Sequence, residues 1–138
     1  EQRVNGSIGH VDLVPTLLDL MGQDVPEHLQ GESRKAVLQG DMELADDVFM
    51  QWHGGAATIS LGDAAFDRLS ELPWRSMVSG DRWKLNVSPT DTCELYDLNS
   101  DPLELTNLYD QPEFACRVAE MTDRMREWQA RTGDELEL

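Results

Sequence analysis

Phe114, Val118, Met121, Met125 and Trp128 succeed one another at steps of 4, 3, 4 and 3, which keeps all five on one side of an α-helix. That helix is expected over residues 112–131, with Gly133 as its stop. A stripe of this length has to be covered by apolar surface, and the stretch before it supplies a partner. Residues 74–79, 82–87 and 92–98 read as strands, joined through Gly80-Asp81 and Ser88-Pro89-Thr90-Asp91. An earlier strand lies in DVFMQWH, where Val48, Met50 and Trp52 face one way and Phe49, Gln51 and His53 the other. Consecutive strands with short connections form an antiparallel meander. The expected class is therefore α+β: a small antiparallel β-meander of three to four strands covered by a long C-terminal helix. A coiled coil would show the same stripe, but about three turns of it are too few to favour one. Between strand and helix, Asn99-Ser100-Asp101-Pro102 forms a turn cluster and Asp110-Gln111-Pro112-Glu113 a helix N-terminus.

The front of the chain fits this unit less well. GHVDLVPTLLDLMG, residues 9–22, predicts a short helix capped by Asp12, with Pro15 tolerated in the first turn and Gly22 as the stop. Its stripe of Val14, Leu17, Leu18 and Met21 has no evident partner within the chain. A second short helix is expected over 32–38, closed by Gly40, and residues 54–72 read as a long loop with one helical turn. The first residues, EQRVNG, hold neither an initiator methionine nor a basic-plus-apolar leader. With the orphan stripe, they point to a piece of a longer protein.

Eleven basic residues against 27 acidic ones give a net charge of −16, a field that repels phosphate backbones and anionic lipid. Nucleic-acid and membrane partners are not expected, and no run approaches the roughly 18–20 apolar residues of a membrane span. Lysine occurs only as Lys35 and Lys84. Adaptation to high salt and an arginine-rich genome both produce that bias.

The chemistry inventory is thin. Cys93 and Cys116 lack CxxC or Cys/His spacing and read as buried free thiols, with a single disulfide between them as the alternative. His10, His28 and His53 stand in no catalytic pattern, and GxSxG, HExxH, P-loop and GxGxxG motifs are absent. Asp46-Asp47 and Asp134-Glu135 read as solvated acidic pairs. Lys84 and Glu94 are expected opposite each other on adjacent strands. Trp52, Trp74, Trp83 and Trp128 read as core, with one of them at a rim as the alternative.

VDLVPTLLDLMG followed by VPEHLQGES resembles the closing helix and exit loop of the large domain in formylglycine-dependent sulfatases of the alkaline-phosphatase superfamily. VFMQWHGG, WRSMVSGDRWKLNV and CELYDLNSDPLELTNL resemble that family's smaller C-terminal subdomain, in order and over nearly the whole chain. The resemblance implies that residues 1–40, with a helix near 12–21, are the tail end of the large α/β domain. Residues 41–138 are then the C-terminal subdomain. It implies a parent that hydrolyses sulfate esters with calcium and a formylglycine made from cysteine in a CxPxR context. Neither Cys93 nor Cys116 stands in that context, so no cofactor, metal ligand or catalytic residue is expected in this piece. Its expected work is structural support and substrate-pocket shaping. Trp52 and His53, ahead of Gly54-Gly55, are the candidate substrate-binding residues, and a backbone-bonded His53 at the sheet edge is the plainer alternative. Implied partners are the missing N-terminal catalytic domain, a sulfated small molecule or glycan, and a second copy through the exposed front helix. The alternatives are a non-catalytic carbohydrate-binding or assembly module, or the C-terminal part of a related phosphonate- or phosphate-ester hydrolase. Periplasmic, secreted and cytoplasmic parents are all compatible with the sequence.

Overall fold

The structure is a computed structural model that describes residues 4, 6–40, 42, 44–54 and 72–137. The chain divides into two units, Glu1–Val48 and Phe49–Leu138. Nearly all of the expected loop at 54–72 falls outside the described residues.

In the first unit a 3-10 turn, His10–Asp12, runs into α1, Leu13–Leu20, and a short helix, α2, Lys35–Gln39, comes after it. Asp12 does not cap α1 as its position predicts. It lies inside the helical turn, and its buried carboxylate accepts hydrogen bonds from the Glu32 amide and Arg34 Nε, both at 2.9 Å. Thr16 Oγ1 donates to the Asp12 carbonyl at 2.6 Å and accepts from the Arg34 amide at 2.9 Å. One turn further on, Asp19 receives Ser33 Oγ at 2.6 Å and Lys35 Nζ at 2.9 Å. Asp12, Thr16 and Asp19 share a helix face, so the segment 31–35 is strapped to α1 through polar groups. The approach is close at Gly31, where an added Cβ would stand 2.1 Å from the Val11 carbonyl oxygen. The apolar side of α1 is left outward: Val11, Val14, Leu17 and Met21 are 52–66% exposed, and Leu18 is half-buried.

The second unit is the expected meander. Strands β1 (Val48–Trp52), β2 (Trp74–Val78), β3 (Trp83–Val87) and β4 (Glu94–Asp97) lie in the order β1-β2-β3-β4. The β2–β3 and β3–β4 pairs are antiparallel, with Met77 opposite Leu85 and Leu85 opposite Leu95. The β2–β3 turn is wider than Gly80-Asp81. It occupies residues 79–82, with Ser79 Oγ taking the Trp83 amide at 2.9 Å and Arg82 left-handed at φ 68°.

A 3-10 turn, Pro112–Phe114, opens α3, Ala115–Thr132, across one face of the sheet. Met77, Leu85, Val87 and Leu95 meet Met121 and Met125, all buried, and Phe49, Trp83, Phe114, Val118 and Trp128 close the margins. Phe49 stacks on Trp128 with ring centroids 5.1 Å apart and planes 3° from parallel. Trp83 and Trp128 thus belong to the core as expected, whereas Trp52 and Trp74 are 46% and 39% exposed because their strand positions face away from α3. Cys93 is half-buried. Cys116 is exposed on the outer side of α3, against the expected burial.

The connection from β4 to α3 is built rather than slack. Asn107 Oδ1 accepts from the Leu95 and Tyr109 amides, each at 3.0 Å, and its Nδ2 donates to the Cys93 carbonyl at 3.0 Å. The Leu108 amide adds a bond to the Leu95 carbonyl at 2.9 Å. Asn107 and Leu108 therefore satisfy backbone groups that would stand open on an edge strand. Lys84 and Glu94 do not pair. Asn86, not Lys84, lies opposite Glu94, and Lys84 Nζ reaches Glu104 at 2.6 Å.

Emptying the helix–sheet seam should be costly. Met121→Ala and Trp128→Ala are expected to lower unfolding free energy by about 2–5 kcal/mol. Glu120→Ala breaks only exposed ion pairs with Arg117 and Arg124 and should cost about 1 kcal/mol or less. Urea titrations followed by tryptophan fluorescence separate the two outcomes.

Candidate functional site

The two candidate residues stand at the end of β1, and a buried arginine organises the structure around them. Arg75 is the second residue of WRSMV in β2, with 1% of its side chain exposed, and it is paired to Asp134, 5% exposed. Its Nε and Nη2 meet the two Asp134 carboxylate oxygens at 2.6 Å each, a bidentate fork. Nη1 donates to the Trp52 carbonyl at 2.8 Å and the Trp74 carbonyl at 2.9 Å. Gln129 Nε2 completes the network with Asp134 Oδ2 at 2.9 Å and the Leu136 carbonyl at 2.8 Å.

Local chain chemistry delivers Asp134 to this place. Gly133 takes the left-handed conformation, φ 69°, and the Asp134 amide bonds back to the Gln129 carbonyl at 3.0 Å. This helix ending turns the chain sharply back, so the next carboxylate points at β2 instead of into water. The expected solvated pair Asp134-Glu135 is thus split: Glu135 is exposed and Asp134 is buried. Arg75 and Gln129 hold the Asp134 carboxyl well below the ordinary carboxylate range. The Ser79 hydroxyl, and after it Arg117, lower the Asp81 carboxyl from its ordinary value as well.

His53 is exposed and lines a groove of about 440 Å³ with Pro73, Arg75, Gly133, Asp134, Glu135 and Leu136. Trp52 is not part of that groove. Strand alternation turns its indole to the opposite side, so the two candidates do not converge on one ligand. With four of its five N–H groups already bonded and 1% of its side chain exposed, Arg75 presents at most one N–H to a ligand. His53 is the imidazole at this rim, exposed and able to donate or accept a hydrogen bond.

A second groove, about 680 Å³, lies on the sheet face away from α3, between Met50, Trp74, Lys84 and Glu94. Its floor is a polar relay: Ser76 Oγ donates to Asn86 Oδ1 at 2.6 Å, and Asn86 Nδ2 donates to Glu94 at 2.8 Å. Among the described residues, no three His, Cys, Asp or Glu side chains gather to hold a metal ion, and no helix is long and apolar enough to cross a membrane.

Sequence reasoning missed Arg75, Gln129 and Asp134. The available signal was a charged residue placed in an otherwise apolar strand position.

A small meander capped by one long helix, with a helix–turn piece in front of it, is the architecture found at the C-terminal end of sulfatases. The chain belongs to that family: residues 1–131 match the model described as N-sulphoglucosamine sulphohydrolase, C-terminal. It is 30% identical over 133 residues to the N-acetylglucosamine-6-O-sulfatase of Bacteroides thetaiotaomicron, covering 91% of this chain and 22% of that protein. The solved structure of a 2-O GAG sulfatase superposes with a TM-score of 0.73 at 28% identity, over 90% of this chain and 25% of that one. The phosphonate monoester hydrolase of Agrobacterium radiobacter shares the fold, with a TM-score of 0.64 at 23% identity over 87% of this chain and 24% of its own. The chain therefore spans about a quarter or less of these proteins.

Asp134→Ala should strand the Arg75 charge in the interior and cost about 3–5 kcal/mol. Because the folded carboxyl titrates below its unfolded value of 3.8, its contribution is complete above that value. It drains away as pH falls toward the folded value. The wild-type melting temperature should therefore drop between about pH 5 and pH 2, and Asp134→Asn should start lower and fall less steeply, as read by circular dichroism.

Proposed function

We propose that this chain is the C-terminal part of a sulfatase. The preceding polypeptide hydrolyses the sulfate ester, and this part supports the fold and shapes the substrate pocket. Residues 1–40 form the end of the large α/β domain and residues 41–138 the C-terminal subdomain. The observation that carries the reading is the collinear match, over about nine-tenths of the chain, to sulfatases roughly four times as long. The outward apolar face of α1 supports it: a helix that bonds inward through Asp12, Thr16 and Asp19 and exposes Val14, Leu17 and Met21 has its apolar partner elsewhere.

The calcium and formylglycine of such a parent do not fit the described residues. Cys93 precedes Glu-Leu-Tyr, Cys116 precedes Arg-Val-Ala, and no cluster of oxygen ligands is assembled among them. Both belong to the upstream polypeptide. Within this chain, the exposed His53 at the groove rim supports a role in meeting an anionic substrate, whereas Trp52, turned to the other side of β1, lies outside that groove.

A phosphonate- or phosphate-ester hydrolase is the second reading, favoured by the fold shared with the phosphonate monoester hydrolase. The reading frame upstream of Glu1 should encode a CxPxR motif, and the longer polypeptide should cleave 4-nitrocatechol sulfate faster than a phenyl phosphonate monoester. The reverse preference would favour the second reading, and no CxPxR motif upstream would remove the first. The 138-residue chain by itself should show no turnover of the sulfate, with or without calcium.

The apolar face gives a separate check. Leu17→Asp should be nearly neutral in the isolated chain, where Leu17 is already exposed, and should cost about 2 kcal/mol or more in the longer polypeptide, where the face is covered. Equal effects in both would leave α1 without its upstream partner.

A further inference from the structure

Arg75 does more than neutralise Asp134. Its Nη1 bridges the carbonyls of Trp52 and Trp74, residues that are 22 positions apart and stand at the two ends of the connection between β1 and β2. The remaining contacts of the guanidinium run to a carboxylate delivered by the end of α3. One buried group therefore ties the exit of β1, the entry of β2 and the C-terminal turn together, and His53 is the first residue beyond the tie.

We infer that the Arg75–Asp134 pair is a clasp at the base of the β1–β2 connection, and that Arg75 is a positioning residue holding His53 at the groove rim for an anionic substrate. The substrate half of this inference rests on the sulfatase reading above; the clasp half does not.

The physical argument is one of geometry and replaceability. A planar guanidinium offers its N–H groups in fixed directions, so it can serve a bidentate carboxylate on one edge and two carbonyls on the other. A lysine ammonium at the same position would keep the charge but could not span all four acceptors. Stability alone is a weak reason to bury a charge this deeply, since well-packed apolar residues of similar volume serve as well or better. What an apolar pair cannot do is fix the relative position of two backbone carbonyls. Holding a contact residue within a fraction of an ångström is what substrate positioning requires.

The test uses the full-length polypeptide carrying this chain, with the paired variant Arg75→Met/Asp134→Leu and the single variant Arg75→Lys. Hydrogen exchange followed by mass spectrometry should show peptides over residues 49–54 and 72–78 exchanging at least about tenfold faster in both variants. Peptides over 83–87 and 94–97 should be unchanged, which certifies that the sheet is intact. In kinetics on 4-nitrocatechol sulfate, each variant should raise KM by the same factor as His53→Ala, leave kcat within about twofold, and add nothing when combined with it. Wild-type exchange at 49–54 and 72–78 in both variants overturns the clasp. Faster exchange with KM unmoved, when His53→Ala does raise KM, overturns the positioning role. A His53→Ala enzyme with wild-type KM overturns the placement of His53 at substrate and leaves the exchange result to decide the clasp.

Discussion

Among the described residues of the second unit, one long helix covers one face of a four-stranded sheet, and the core is organised around that seam. Met121 and Met125 supply the centre of the covering layer because an unbranched thioether side chain fills the uneven space over a twisted sheet. The aromatic pairs Phe49–Trp128 and Trp83–Phe114 close its two ends. With this seam intact, positions facing α3 are apolar by necessity and positions facing away are free for other chemistry. That division explains why Ser76, Asn86 and Glu94 form a polar relay on the far side, although Met77, Leu85 and Leu95 beside them are buried.

Two polar networks then decide what the chain does at the margins of the sheet. Asn107 imitates a neighbouring strand along β4, bonding backbone groups that would otherwise invite another chain. Arg75 closes the opposite side, where β1 leaves the sheet and β2 enters it. The buried, bidentate fork to Asp134 holds those two strand ends in fixed directions.

The first unit obeys a contrary rule. Its helix is held through Asp12, Thr16 and Asp19 and shows its apolar residues to the outside. An inverted helix of this kind is unfavourable in a free-standing domain. Under the reading proposed above, it is the last helix of a layer whose other members precede it in the chain.

The helix stripe, the meander and their antiparallel order were legible because they are local. Periods of 3.6 and 2 are written into neighbouring residues, and turn residues such as Gly133 and Gly40 mark the ends. The family was legible because its motifs survive as short strings. Asp12 makes no side-chain cap and Lys84 does not pair with Glu94, because each polar group has a nearby candidate and takes a distant one. The partners of Asp12 lie 20 and 22 residues away, and Asp134 lies 59 residues from Arg75. His53 and Trp52 were adjacent in the string and divide between opposite sides of a strand. Sequence spacing alone determined which elements form and which of their faces are apolar. Only the tertiary structure decided where the buried charges went, because a hydrogen bond depends on distance in space, and a folded chain brings together groups that no periodicity relates.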